Sequence, residues 1–454
     1  MKHLIFTLIT FCAFCVSCIA DEWNTQYLRL EQSITPVHIT DTRYDIRKFG
    51  AKVSAKASVN QKAINKAIEY CNRKGGGTVV IPAGVWHTGA LRMLSGVCLM
   101  IEKDATLQFV FDTSLYPVVE TRWEGLGCYN VSPLIYAEGQ HDIAICGEGT
   151  IDGGGTRSTW WTWTGVDRFG WKEGMYNQRK SRAMLQEWAE NGTPVSQRVF
   201  TRDNALRPQT VNFMRCQRVL IQGVTLLSSP FWVLHPVLCE DVTVRGVTII
   251  NDGPNGDGCD PESCNRVLIE DCLFRTGDDC IAIKSGRNRD GRTWAVPCQN
   301  VIVRNCKMED GHGGIVVGSE ISGGFRNLFV ENCKMSSPNL DRVVRIKTNT
   351  CRGGVVENIF VRNVEVGECR EAVLKINLNY EPREKAERGH YPLVRNVYLE
   401  RVNCHKSRYG AYISGLEDST CIDNVNVKSC KWEGIGETRF RLEGRIADMY
   451  YSDL

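Results

Sequence analysis

Residues 301–308 read VIVRNCKM, with apolar side chains at the first, third, sixth and eighth positions. The same pattern starts at residues 219, 242, 267, 328, 359, 397 and 425, so successive units begin 23 to 38 residues apart. Apolar alternation predicts strands, and the extra residue in the middle predicts a bend between two short ones. Repeats of this length are typical of a solenoid. The sequence therefore predicts an all-β fold, a parallel β-helix in which each coil packs against the next.

Two residue types support this fold. Asn305, Asn332 and Asn363 fall at the predicted bends, where a left-handed backbone is needed. The chain has 21 cysteines, and at the sixth position of the eight units cysteine interchanges with valine. Cysteine behaves there as a small buried hydrophobe, so we expect most thiols to be free and buried. A few disulfide bonds remain an alternative, for example ones that involve Cys259, Cys264, Cys280 or Cys298.

The N-terminal 20 residues have the features of a secretory signal. Lys2 precedes an apolar run from Leu4 to Val16, and small residues end the segment at Ala20. This run is too short for a membrane span. Acylation at Cys18 is an alternative, but Cys15 stands where an aliphatic residue is usual. We therefore expect residues 1–20 to be a signal peptide and the mature chain to be exported, to the periplasm or the medium.

Residues 21–454 are expected to form one β-helix catalytic domain. Ser58 to Cys71 has one apolar face, which predicts a helix that caps the N-terminal end of the β-helix. Gly153–Leu206 breaks the repeat, contains five tryptophans and predicts an insertion with a helix near Arg182–Ala189. Glu433–Leu454 lacks the repeat and is expected to cover the last coil. The net charge of +3 is too small to create the strong positive electrostatic field that would attract nucleic acid.

Four polar clusters follow the repeat at corresponding places: Asn255-Gly256-Asp257, Gly277-Asp278-Asp279, Gly311-His312-Gly313 and Arg345-Ile346-Lys347. The stretch DDCIAIKS from residue 278 aligns with HGGIVVGS from residue 312. This alignment places His312 beside Asp278 on adjacent coils, about 5 Å apart. Asp257 falls beside Asp279, and Arg345 falls at the position of Val316. One external face should therefore carry all six charged or titratable side chains.

The chemistry of this cluster is that of glycosidic cleavage. Crowded carboxylates cannot all ionise cheaply, so at least one should have a raised pKa. A protonated acid beside an ionised base can protonate a leaving oxygen and activate water. Arg345 and Lys347 offer cations for an anionic substituent. Asp260, Asp271 and Asp341 are interpreted as turn or bend residues. No metal or cofactor is expected, and no zinc-type CxxC pairing is present.

These motifs resemble glycoside hydrolase family 28, the polygalacturonases and related pectin hydrolases, which are right-handed parallel β-helices. Further similar segments are Phe49-Gly50-Ala51, Ala63-Ile64, Gly75-Gly76-Gly77, Ile81-Pro82-Ala83-Gly84, Trp123-Glu124-Gly125, Ser229-Pro230-Phe231-Trp232 and Gly318-Ser319-Glu320. The last three look like the bacterial branch. The resemblance covers nearly the whole mature chain.

The resemblance implies a role for each site residue. Asp278 would be the general acid, and Asp257 and Asp279 would hold and deprotonate water, with inversion at the anomeric carbon. That geometry needs roughly 6.5–9.5 Å between acid and base. His312 would tune the acid. The residues implied to bind or support the substrate, a pectic polysaccharide or oligogalacturonide, are Asn255, Arg345, Lys347 and Tyr380.

Gly256 departs from the family, whose usual residue there is threonine. The glycine is expected to loosen the strand by roughly 0.5–1 kcal/mol. The complete Arg345-Ile346-Lys347 motif favours galacturonate beyond the cleaved bond over rhamnogalacturonan. The Gly153–Leu206 insertion could close one end of the groove, which favours exo attack. Endo attack and other pectic backbones, xylogalacturonan included, are the alternatives.

Two other classes compete with a hydrolase. A pectate lyase would use calcium, which wants six to eight oxygen ligands, and it leaves His312 poorly explained. A noncatalytic polysaccharide-binding β-helix needs no general acid. The motifs do not indicate an oligomeric state.

Overall fold

The computed structural model describes residues 23–453. These residues form a right-handed parallel β-helix, as the sequence predicts, because successive coils pair strand on strand in three parallel sheets. The predicted signal segment, residues 1–20, lies outside the described residues. No helix among residues 23–453 is long and apolar enough to span a bilayer.

The first sheet contains the strands Arg43–Asp45, Gly77–Ile81, Val97–Ile101, His141–Gly147, Gln217–Gln222, Glu240–Arg245, Asn265–Glu270, Cys298–Arg304, Phe325–Glu331, Ile422–Lys428 and Met449–Ser452. The second contains Gly84–Thr88, Ala105–Phe109, Thr150–Asp152, Thr225–Leu227, Thr248–Asn251, Leu273–Thr276, Lys307–Asp310 and Lys334–Met335. The third contains Leu91–Arg92, Ile135–Glu138, Val211–Met214, Leu234–Val237, Ile281–Ile283, Ile315–Gly318, Arg342–Lys347, Ala372–Asn377 and Ile435–Glu443. Two long strands, Val355–Glu368 and Leu393–Ser414, run through more than one sheet.

The bends between the first and second sheets have the predicted backbone. Asn305, Asn332 and Asn363 have φ of 56°, 56° and 53°. A second feature at the start of the first sheet was not predicted. Side-chain amides of asparagines on successive coils hydrogen-bond to one another, with Asn300 donating to Asn265 and Asn327 donating to Asn300, both at 2.8 Å. These ladders fix the register from coil to coil.

The cysteines behave largely as expected. Sixteen of those in residues 23–453 are free, and all sixteen are buried. The four considered for bridges are among them. The structure adds a disulfide that was not predicted, between Cys98 and Cys146 on neighbouring strands of the first sheet. The apolar repeat could not indicate it, because both positions read equally well as packing.

Residues 23–453 contain four α-helices, which pack around the β-helix. Helix α1 (residues 23–33) packs Trp23 against the outer face of the first sheet. Helix α2 (Ala57–Arg73) buries the predicted apolar face and caps the N-terminal end. Helix α3 (Arg179–Glu190) lies in the predicted insertion, and helix α4 (Asn288–Trp294) follows the third sheet.

The expected covering role of Glu433–Leu454 is confirmed for residues 433–453, which cover the last coil as paired strands. Ile435–Glu443 pairs in parallel with Leu393–Ser414, and Met449–Ser452 pairs with Ile422–Lys428. The segment is therefore one more partial coil. Its apolar pattern is weak because its residues are mostly exposed and no further coil packs upon it.

An antiparallel hairpin, Val118–Trp123 and Leu126–Val131, interrupts the parallel fold. Its two-residue turn is Glu124-Gly125, both with positive φ. The insertion packs on this hairpin through a buried cluster that includes Trp123, Leu185 and Trp232. Hairpin and insertion together form a wall that also contacts α4, through the pair of Arg198 with Asp290 at 2.9 Å.

Candidate active site

The register of the third sheet brings the four sequence clusters together as predicted. Cys259 pairs with Ile281, which pairs with Ile315, and Val316 pairs with Arg345. Counting back along these strands places Asp257 beside Asp279 and His312 beside Asp278. The repeat thus converts positions far apart in sequence into neighbours on consecutive coils.

Three carboxylates converge at the centre. Asp257, Asp278 and Asp279 each offer an oxygen within 4.8 Å of the other two. Asp279 is fully buried and accepts a 2.6 Å hydrogen bond from Lys347 Nζ, with Arg345 Nη1 at 3.6 Å. Asp278 is partly exposed, and its Oδ1 lies 3.0 Å from His312 Nδ1. The pairing of His312 with Asp278 is the predicted one, whereas the contacts of Lys347 and Arg345 with Asp279 were not predicted.

These contacts separate the ionisation of the carboxylates. Burial and then the charge of Asp278 raise the pKa of Asp257 well above its ordinary value. This confirms the expectation of one raised pKa. Burial also raises the pKa of Asp278, but the hydrogen bond and charge of His312, followed by Lys347 and Lys284, lower it to about 2. The hydrogen bond to Asp278 raises the pKa of His312. Asp257 therefore holds a proton more readily than Asp278, and His312 holds one more readily than a free imidazole.

Sequence reasoning missed a second group of charges beside the carboxylates. Lys284 is buried, and its Nζ lies 3.1 Å from Glu320, 3.5 Å from Asp260 and 3.7 Å from Asp257. The interpretation of Asp260 as a turn residue is wrong. Residues 259–262 continue the third sheet instead of turning, so Asp260 is fully buried.

The other two aspartates interpreted as turn residues differ from each other. Asp271 is exposed at a bend with φ of 56°, as expected. Asp341 is buried, pairs with Arg370 and Arg342 and lines the site, so its interpretation is wrong. Leu340 pairs with Gly311 on the preceding coil, so Asp341 lies beside His312 and lines the pocket with it.

Asn255 supports the site from behind. It has φ of 50°, and its Oδ1 accepts a 2.7 Å hydrogen bond from Arg207. Arg207 is fully buried and also donates to the carbonyls of Pro230 and Pro254. The backbone that carries Asp257 is therefore held by a buried guanidinium.

Gly256 has a steric reason to replace threonine. A Cβ there would lie 2.6 Å from Asn251 Nδ2 and 2.7 Å from the Gly253 carbonyl. The expected entropic loosening by this glycine stays a prediction, and the close approach of Asn251 and Gly253 gives a separate reason why a side chain does not fit here.

Gly256→Ala should lower the melting temperature, since overpacking typically costs about 1–3 kcal/mol. Thermal unfolding checks this, with Gly436→Ala as the matched control. A Cβ at Gly436 would meet atoms no closer than 3.7 Å. Equal melting temperatures for the two variants would contradict the steric account.

The site opens into a pocket of about 310 Å³. The predicted site residues lining it are Asn255, Asp257, Asp278, His312, Arg345, Lys347 and Tyr380. Asp279 lies behind them. The Tyr380 ring contacts both cations, with Arg345 Cζ 5.4 Å and Lys347 Nζ 5.3 Å from its centroid.

Two further lining residues come from the wall of hairpin and insertion. Glu124 stands at the hairpin tip, and Arg182 stands on α3. Arg182 Nε donates to Glu124 at 2.7 Å, while its side chain remains 41% exposed. Glu124 belongs to the Trp123-Glu124-Gly125 segment of the family resemblance, but nothing in the sequence placed it or Arg182 at the site, because both belong to excursions outside the repeat.

Comparison with known proteins agrees with this geometry. Residues 186–444 match the family described as glycosyl hydrolases family 28. The crystal structure of a hyperthermoactive exopolygalacturonase from Thermotoga maritima is 37% identical, with a TM-score of 0.88 over 95% of this chain and 96% of that one. A probable polygalacturonase of Vitis vinifera is 27% identical over 82% of this chain and 71% of its own length.

An exo-poly-alpha-D-galacturonosidase of Dickeya chrysanthemi is 25% identical over 74% of this chain, which spans only 57% of that relative. Endo-polygalacturonases of Pectobacterium also match. The resemblance seen in the motifs is therefore confirmed over more than half of the chain. The chain belongs to family 28 of the glycosyl hydrolases.

Proposed function

We propose that this hydrolase releases terminal galacturonate from polygalacturonate or oligogalacturonides by inverting cleavage of α-1,4-galacturonosyl bonds. The observation that carries the proposal is the convergence of Asp257, Asp278 and Asp279 in one pocket beside Arg345 and Lys347. Three carboxylates supply an acid and a base, and the two cations suit a uronic acid.

Asp278 is the proposed acid because it lines the open pocket with His312 beside it. A substrate carboxylate next to Arg345 and Lys347 would offset the positive charge that lowers the Asp278 pKa. The proton shared within the carboxylate group then moves to Asp278. Asp278 donates it to the glycosidic oxygen as that bond to the anomeric carbon breaks. Water attacks the same carbon from the opposite face, and Asp257, held with Asp279, accepts the proton of the water.

The charge around the carboxylates argues for hydrolysis over a calcium-dependent lyase. Lys347 and Arg345 contact Asp279, His312 contacts Asp278, and Lys284 contacts Asp257. A divalent cation at this place would meet four positively charged or protonatable groups. Calcium sites are built from neutral and anionic oxygens.

The wall of hairpin and insertion supports exo attack. It lines the pocket through Glu124 and Arg182 and reaches the start of α4, where Glu124 lies 3.4 Å from Arg287. On the other side the third sheet continues through Ala372–Asn377 to Ile435–Glu443. A chain bound across Arg345 and Lys347 can extend over these later coils, whereas the terminal sugar meets the wall.

Product analysis on polygalacturonate in the presence of a chelator tests this function. We expect monogalacturonate as the early product, saturated and formed at an unchanged rate with chelator. Oligomers of mixed length as first products would contradict exo attack. Unsaturated product that absorbs in the ultraviolet and disappears with chelator would favour a lyase, and binding without turnover would favour a noncatalytic role.

We further propose that the protein acts outside the cytoplasm. The apolar run Leu4–Val16 and the small residues ending at Ala20 support this. The N-terminus of the protein recovered from culture medium and periplasm tests it, with residue 21 as the expected first residue.

A further inference from the structure

Each of the three central carboxylates has its own cationic neighbour. Asp278 contacts His312, and Asp279 contacts Lys347 and Arg345. Among residues 23–453 the only cation within 4.0 Å of Asp257 is Lys284, at 3.7 Å. The cations of the first two pairs belong to the four polar clusters of the sequence, whereas Lys284 belongs to none of them.

Lys284 is built into the site and shielded from solvent. It follows the strand Ile281–Ile283 and lines the pocket with 3% of its side chain exposed. Its Nζ lies 4.3 Å from the centroid of the Trp232 ring, which covers it on one side. The ammonium is therefore held away from solvent, and its charge acts on the carboxylates around it, which are Asp257, Asp260 and Glu320.

The surroundings of Lys284 are strongly acidic. Glu320 and Asp260 lie 3.1 and 3.5 Å from its Nζ. The two oxygens of the buried Asp260 have no hydrogen-bond partner within the described part of the chain. The other charged or titratable groups on the elements packed around Lys284 are Asp278, Asp279, His312, Lys347, Glu262, His235, Arg122 and Arg287.

Most of these other groups are already compensated. Glu262 pairs with Arg122 at 3.0 Å and with His235 at 2.8 Å. Arg287 pairs with Glu384 at 2.7 Å and lies 3.7 Å from Glu320. Lys284 is therefore the cation on which the ionisation of Asp257 depends most directly.

We propose that Lys284 is a positioning residue that favours the ionised form of Asp257 and holds its carboxylate beside the other two. The proposal rests on the function proposed above, in which Asp257 must accept a proton from water. Glu320 and Asp260 compete with Asp257 for the ammonium, and so they set how much of its charge Asp257 receives. In this proposal Lys284 acts on the reaction through Asp257.

A pH profile distinguishes this role from a merely structural one. Without the ammonium, Asp257 retains its proton to higher pH, because burial and Asp278 already raise its pKa. Lys284→Gln should therefore lose kcat/KM most at the acidic end of the profile. We expect a loss of at least about tenfold there, equivalent to one pKa unit, which shrinks as pH rises. Lys284→Arg keeps a cation and should recover most of the loss.

Glu320→Gln provides an independent test with the opposite sign. Removing that carboxylate leaves more of the ammonium's charge on Asp257, so the variant should gain relative activity as pH falls. Circular dichroism and melting temperature establish that each variant is folded. If Lys284→Gln does not fold, the pH dependence of Glu320→Gln decides.

Two results would overturn the proposal. One is a folded Lys284→Gln variant whose loss of kcat/KM is the same at every pH. The other is a Glu320→Gln variant with an unchanged pH profile. Failure of the proposed function looks different, since the wild-type protein would then show no turnover of polygalacturonate at any pH.

Discussion

Asp278→Asn is expected to lower kcat on polygalacturonate by about 10²–10⁴-fold, the range typical for loss of a general acid. Asparagine has nearly the size of aspartate. Its side-chain oxygen can still accept the hydrogen bond that the Asp279 amide donates to Asp278 Oδ1 at 3.0 Å in the wild type. It cannot donate a proton to the leaving oxygen. KM should change little, because Arg345 and Lys347 remain to bind the substrate carboxylate. Initial rates of reducing-sugar release over a range of substrate concentrations measure both constants.

Asp271→Asn is the matched control for this variant. Asp271 is exposed at a bend with φ of 56°, a conformation that asparagine tolerates well. Its activity should equal that of the wild type. A kcat for Asp278→Asn close to that of Asp271→Asn would remove Asp278 from the acid role.

Lys347→Gln is expected to have the second large effect. Lys347 Nζ donates at 2.6 Å to Asp279, which is fully buried. Loss of the ammonium leaves a buried carboxylate whose remaining ion-pair partner among residues 23–453 is Arg345, at 3.6 Å. Breaking such a buried pair typically costs about 3–5 kcal/mol of stability. Substrate binding also loses a cation. We expect kcat/KM to fall by about 100-fold or more, equivalent to at least about 2.8 kcal/mol.

Lys334→Gln serves as the control for the loss of a lysine. Lys334 is exposed on the second sheet, away from the pocket. Thermal unfolding and kcat/KM should both match the wild type for this variant. Wild-type kcat/KM in a folded Lys347→Gln protein would show that Asp279 and the substrate do not need this ammonium.

The sequence was sufficient to predict the coils of the β-helix and the residues at the centre of the site, because both follow from the repeat. Once the apolar positions are aligned, strand pairing dictates that His312 lies beside Asp278 and Asp257 beside Asp279. The roles drawn from the family resemblance add chemistry to positions that the repeat had already brought together.

Other features depend on contacts that no repeat encodes. Glu124 and Arg182 reach the pocket from a hairpin and an insertion, whose direction is set by a separate buried cluster. Lys284 stood in the aligned segment, but its three carboxylate partners sit at unrelated positions of two coils. From the sequence, Gly256 was only a departure from the family motif. The structure shows that Asn251 and Gly253 approach it too closely for a side chain.

The distances between the carboxylates could not be predicted from the sequence either. Their nearest oxygens lie within 4.8 Å, shorter than the roughly 6.5–9.5 Å expected between the acid and base of an inverting enzyme. That expected range spans the sugar and the attacking water, whereas the 4.8 Å distance joins the nearest oxygens in the free site. The stereochemistry of the product therefore tests the proposed geometry better than the distance does.

The most direct test is proton NMR of the first product released from a saturated oligogalacturonide, recorded before mutarotation equilibrates its anomers. The account predicts monogalacturonate that appears first as the β-anomer, since water attacks an α-linked sugar from the opposite face. Initial α-anomer would contradict the proposed division of Asp278 as acid and Asp257 with Asp279 as base.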